Sequence, residues 1–115
     1  MSGIRNEAIK IAHDKGYAVS ECGTAVTYRN KERKLQEQKL SGKTYYRFSV
    51  GVEGRSVNIY VHRLQAYSKY GSKIFKEGVV VSHKNDNSMD NSKKNIVIGT
   101  QSQNMRDKYR NKKRR

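Results

Sequence analysis

Val79-Val80-Val81-Ser82-His83 and Asn95-Ile96-Val97-Ile98 are two short β-branched runs separated by Lys84 to Lys94, a segment dense in Asn, Asp and Ser. β-Branched side chains suit a pleated surface, and Asn, Asp and Ser bond readily to backbone a residue or two away, so the pattern predicts two strands joined by an ordered, turn-rich loop. The valine run reads as a compact buried strand leading into His83. Just beyond the second strand, Thr100 and Gln103 stand at the T-x-x-Q spacing of a capping box, which predicts a helix running into the basic C-terminal segment. Strand, strand, helix is a ββα unit. It draws together His83 at the end of the first strand, Asn95 at the opening of the second and Asn104 in the first helical turn.

Working outward toward the N-terminus, Leu64, Ala66 and Tyr67 place a short helix over residues 62–70, ending at Gly71. Before it, Thr44 to Val52 and Ser56 to Val61 read as a hairpin joined by Glu53-Gly54-Arg55. Its surface mixes Tyr45, Tyr46, Arg47, Arg55 and Tyr60, which suits a sugar-phosphate backbone, although cross-strand aromatic pairing accounts for the tyrosines equally well. Arg29 to Lys43 carries six basic residues against two glutamates and contains Ser41-Gly42, the composition of an exposed loop or ribbon tip. Tyr17 to Tyr28, interrupted by Cys22-Gly23, suggests two short strands around a turn. Ile4, Ala8, Ile11 and Ala12 recur at helical spacing, with Gly16 as the stop. His13, in the last turn of that helix, is accounted for by a favourable contact with the helix dipole.

With 115 residues, of which 34% are hydrophobic, the chain can bury only a small core, so one unit over residues 1–115 is expected. Lys and Arg number 25 against 10 acidic residues, a formal charge of +15. A field of that strength repels itself unless an anionic polymer is nearby, which makes nucleic acid the leading partner. Cys22 is the only cysteine; there can be no intramolecular disulfide and no multi-cysteine zinc site, and a reducing cytoplasm fits. No run approaches the roughly 18 apolar residues of a membrane span, and the N-terminus lacks the apolar core of a signal peptide. A soluble, unexported protein is expected. The basic C-terminal segment offers only Met105 and Tyr109 as apolar anchors, which argues against a membrane surface.

Hydrolysis of a phosphodiester needs a base to deprotonate water and a cation to neutralise charge on the phosphate and leaving oxygen. One imidazole and one oxygen-donor ligand can supply both. Over roughly residues 56–110 the chain resembles the HNH, or His-Me finger, nucleases. Val61-His62-Arg63-Leu64 is similar to the family's V-H-R-L segment, Val80 to Asn87 to its V-x-H-x-x-x-N element and Asn95-Ile96 to its N-L. Gly99 to Asp107 resembles the G-T-x-x-x-N-M-x-D helix start seen in many phage members.

The resemblance implies an α+β fold: an N-terminal helix and small antiparallel sheet that contacts DNA over residues 1–55, a ββα-metal unit over 56–110 and a basic tail over 105–115. It makes His83 the general base, Asn95 the asparagine that holds the loop and orients the base, and Asn104 the ligand of a divalent metal, Mg²⁺ with Mn²⁺ able to substitute. His62 and Arg63 are further candidates for the site, Arg63 through a phosphate contact, although packing at the helix start accounts for both as well. Double-stranded DNA is the implied substrate, held by Arg47, Arg55, Lys84, Arg106, Lys108, Arg110, Lys112 and Lys113. Cutting both strands would take a homodimer or two successive nicks. Many members carry Asp as a second metal ligand where this chain has Ser82. Others hold a structural zinc with cysteines around that loop, and here those places carry none. Serine before the histidine resembles the His-Cys box homing endonucleases, in which asparagine is the sole protein ligand. The rival expectations are a DNA-binding module of the same fold without turnover and, more distantly, a basic RNA-binding protein.

Overall fold

A computed structural model describes residues 3–100 of the chain. Helix α1 (Gly3–Lys15) buries Ala8, Ile9 and Ala12 on one face. It stops in a paired C-terminal cap, in which Gly16 N–H donates to the His13 carbonyl and Tyr17 N–H to that of Ala12. The chain then forms a small antiparallel sheet of β1 (Ala18–Val19), β2 (Val26–Tyr28) and β3 (Lys31–Glu32). Tyr17 enters the core stacked on Tyr28, with ring centroids 4.1 Å apart.

A second antiparallel sheet contains β4 (Gln36–Leu40), β5 (Lys43–Val52) and β6 (Arg55–Tyr60), with β5 in the middle. Of the exposed loop or ribbon tip expected over residues 29–43, the ribbon is what forms, turning at Ser41-Gly42, and the loop is corrected to strand over much of its length. Gln36 to Leu40 pairs with Lys43 to Arg47 in continuous register, yet it is an edge strand exposed along most of its length. Such a strand forms by backbone pairing to a longer neighbour and needs no apolar alternation, so its composition carries no strand signal. The β5–β6 hairpin lies close to expectation, with Arg55 already in the strand. Glu53 (φ 49°) and Gly54 (φ 77°) supply the two left-handed residues of its turn. Alternation along the hairpin sends Phe48, Val50 and Ile59 into the core, with Tyr46, Val52 and Val57 packed around them. Tyr45, Arg47, Ser49, Asn58 and Tyr60 occupy the opposite face, where Ser49 donates to Asn58 at 3.0 Å.

Helix α2 (Val61–Tyr70) follows β6 without a loop and crosses α1 and both larger sheets. Val61 and Leu64 join the main core; Ala66 joins a second cluster with Ile74 and Ile96. A 3₁₀ turn, Gly71–Phe75, delivers Ile74 to that cluster. The last sheet is a two-stranded ribbon of β7 (Val79–His83) and β8 (Ile96–Thr100), with His83 opposite Ile96. Two departures from expectation occur here. Val79 to Val81 are half-buried rather than buried, because a two-stranded ribbon covered on one side leaves its other face open. The small sheet expected before the ββα unit is two separate three-stranded sheets, whereas β7 and β8 pair as a ribbon of their own, as that unit requires. Thr100 ends β8, and the helix expected to begin from it lies outside the described residues. No helix among the described residues is long and apolar enough to cross a membrane.

Candidate active site

The segment between β7 and β8 is a loop held by its own side chains. Asn95, which is 6% exposed, makes three bonds across it. Its Oδ1 accepts from Asn85 N–H, and its Nδ2 donates to Asn85 Oδ1 and to the Asp90 carbonyl. Asn85 Nδ2 in turn donates to Asp90 Oδ2, and Asp90 Oδ1 accepts from the Ser92 amide and hydroxyl. These bonds, led by those from Ser92, hold the Asp90 carboxyl below the usual range although partial desolvation acts in the opposite direction. Asn87 Oδ1 takes the Met89 amide in a local turn. Asparagine-rich composition thus closes the loop, and the Lys84 amide bonded to the Asn95 carbonyl (2.8 Å) closes its base.

His83 stands at the mouth of this loop. Its Nε2 lies 2.9 Å from Asn91 Oδ1. Its ring meets those of His62 and Tyr45, with centroids at 5.2 and 6.3 Å. Tyr45 also meets Tyr60 and His62 at 6.0 and 5.4 Å. The core-averse face of the β5–β6 hairpin therefore ends in an aromatic patch at the histidine. Although part of His62 remains accessible, burial in this patch, then the charges of His83 and Arg63, push its pKa from 6.5 down to about 3. His62 is a neutral ring at physiological pH. A second brace comes from the N-terminal half. Gln65, 1% exposed, donates through Nε2 to the carbonyls of Ser20 and Asn91, both at 2.9 Å. Lys93 N–H donates to the Glu21 carbonyl, and Lys69 Nζ to those of Lys93 and Ile96. On the other side, Lys43 pairs with Asp86 at 3.1 Å, and the Ser88 hydroxyl donates to the Thr44 carbonyl.

Ser82 and His83 close β7, Asn95 stands at the end of the loop just before β8, and Lys84 is exposed beside His83. Arg47 shares the hairpin face of Tyr45 and pairs in register with Tyr60, and its buried Nε has no hydrogen-bond partner among the described residues. Arg55 is at the far end of β6, about 17 Å from Tyr60 at the usual strand rise, and is not brought to the site. Arg63 turns toward α1, where its Nη2 donates to Asn6 Oδ1 at 3.0 Å. That bond joins two helices. Asn104, Arg106, Lys108, Arg110, Lys112 and Lys113 lie outside the described residues. Asn91 and Gln65 are the site residues that sequence reasoning missed, while Tyr45, expected only on the hairpin surface, reaches the histidine itself. Asn91 sits within a run of similar polar residues, and no periodicity marks which of them turns inward. Among the described residues no cluster of three or more His, Cys, Asp or Glu could hold a metal ion.

Residues 59–106 match the family described as HNH endonuclease. No curated protein matches the chain. Among solved structures, the chain is similar to one titled "DNA binding and cleavage by the HNH homing endonuclease I-HmuI", with 30% identity and a TM-score of 0.62. The match covers 83% of this chain and 52% of that one, so the chain spans about half the length of the structure it matches.

Proposed function

We propose that this chain, whose residues 59–106 match the HNH endonuclease family, is a member of it and hydrolyses phosphodiester bonds of double-stranded DNA with His83 as general base. The observation that carries the reading is His83 itself, fixed by Asn91 at the mouth of a loop that Asn95 staples shut, at the end of a half-buried aromatic and basic sheet face. His83 takes a proton from water, the resulting hydroxide attacks phosphorus, and the 3′-oxygen leaves on the opposite side. Asn95 keeps the loop from drifting, Arg47 and Lys84 hold backbone phosphates, and residues 1–115 act as one unit. A single such site cuts one strand, so a duplex cut requires a homodimer or two successive nicks.

Ser82 and Asn104 offer hard, neutral oxygen donors, which suit Mg²⁺ or Mn²⁺ rather than zinc. When bound there, a divalent cation would neutralise charge developing on the phosphate and the leaving oxygen. Neutral donors hold a cation weakly, so phosphate oxygens of the substrate would complete its shell. A second reading, a DNA-binding module without turnover, is favoured by one observation, the serine at position 82 where many relatives carry a carboxylate.

Plasmid nicking with Mg²⁺, with Mn²⁺ and with EDTA separates the two. The expected result is metal-dependent conversion of supercoiled to open-circular DNA, reduced about 10²- to 10⁴-fold in His83→Ala with little change in DNA affinity. Nicking by His83→Ala at the wild-type rate would overturn the assignment, and a wild type that binds DNA but never nicks it would leave the binding module.

A further inference from the structure

We infer that Asn91 is a positioning residue that sets the tautomer of His83, so that Nε2 carries the ring proton and Nδ1 keeps the lone pair. Its catalytic consequence rests on the nuclease reading above. The geometry stands independently of that reading. Asn91 is 1% exposed, and its Oδ1 lies 2.9 Å from His83 Nε2. An amide oxygen only accepts, so the nitrogen facing it must be the protonated one.

The backbone that carries this amide is clamped from three directions. Gln65 Nε2 donates to the Asn91 carbonyl, the neighbouring Ser92 is bonded to Asp90, and Gly23 lies so close that a Cβ there would be 2.1 Å from the Asn91 carbonyl carbon. Asn91 Nδ2 is buried with no hydrogen-bond partner among the described residues. Among the described residues the contact to His83 is thus the one side-chain bond of this amide, and it is made through Oδ1. Were the amide turned over, Nδ2–H would occupy the Nε2 lone pair and Nδ1 would carry the proton. Neither ring nitrogen could then accept a proton from water. Only the arrangement with Oδ1 toward Nε2 leaves a base. Because the partner is a neutral amide rather than a carboxylate, it orients the ring without adding charge to the site.

The test is the side-chain ¹⁵N–¹H correlation spectrum of the full chain without metal or DNA, at a pH above the ordinary imidazole range. The His83 signals are assigned by their loss in His83→Ala. The wild type should show the Nε2–H form, Asn91→Asp should keep it because an acceptor remains, and Asn91→Leu should lose the preference. In single-turnover nicking, Asn91→Leu should lose about 10- to 100-fold in rate with DNA affinity unchanged, the usual effect of removing the partner that orients a functional imidazole. Asn91→Asp should recover most of that loss. An Nδ1–H form in the wild type, or an unaltered tautomer in Asn91→Leu, overturns the inference. If the leucine variant does not fold, an Nδ1–H form in Asn91→Asp does so equally. A wild type with the Nε2–H form that never nicks DNA would instead remove the nuclease reading and leave the tautomer assignment standing.

Discussion

At the scale of single residues, His62 shows what packing does to a titratable ring. Its pKa is about 3 in the folded protein against 6.5 without burial, so the unfolded chain takes up a proton in a range where the folded one does not. This contribution to stability is complete above about pH 6.5. It is lost as pH falls toward 3, with a slope of up to ~1.4 kcal/mol per pH unit. His62→Phe should flatten that dependence, so that denaturant midpoints at neutral and mildly acidic pH move closer together than in the wild type. An unchanged acid slope in the variant would assign the lability to other groups. Ser82 bears on metal use. A carboxylate there would add a charged, hard oxygen, so Ser82→Asp should lower the Mg²⁺ concentration for half-maximal nicking, and Asn104→Ala should raise it. Full activity of Asn104→Ala at the wild-type Mg²⁺ requirement would reject Asn104 as a ligand.

The elements meet at the loop between β7 and β8, which is braced from the first half of the chain through Glu21 and Gly23 and from α2 through Gln65. Gly23 separates conformational strain from close approach. Gly23 and Gly42 both adopt left-handed backbone, at φ +76° and +79°, but only Gly23 abuts another segment. Gly42→Ala should cost only the backbone strain, roughly 1–3 kcal/mol. Gly23→Ala should cost more and should also slow nicking, because the Asn91–Ser92 backbone must move. Urea denaturation of both variants beside a nicking assay checks this, and equal destabilisation with equal activity would mean that the close approach does not hold the loop. The elements carrying long apolar or β-branched runs were readable in advance: α1, the β5–β6 hairpin, α2 and the β7–β8 pair. β4 was not, because an exposed edge strand needs only a neighbour's free backbone groups.

For the whole molecule, the charge of +15 governs association with any polyanion. Truncation after Tyr109 removes Arg110, Lys112, Lys113, Arg114 and Arg115, and should weaken binding to all DNA sequences alike. Every phosphate that this segment no longer neutralises should reduce the log-log salt slope by about 0.9. A weaker preference for one site at an unchanged slope would mean instead that this segment reads bases. The sequence alone determined the strong positive charge that makes a polyanion the leading partner, because net charge needs no fold to be counted. It also determined the order strand, asparagine-rich loop, strand and the place of His83 and Asn95 on it, because β-branched runs and asparagine-rich turns are local signals. Tertiary structure alone decided which residues surround His83. Asn91 faces it because Gln65 and Gly23, from distant parts of the chain, clamp the loop; Tyr45 reaches it through sheet alternation and register; Arg63, although next to His62, points to α1. Which side chain turns inward within a polar loop depends on partners distant in sequence, and no local spacing encodes them.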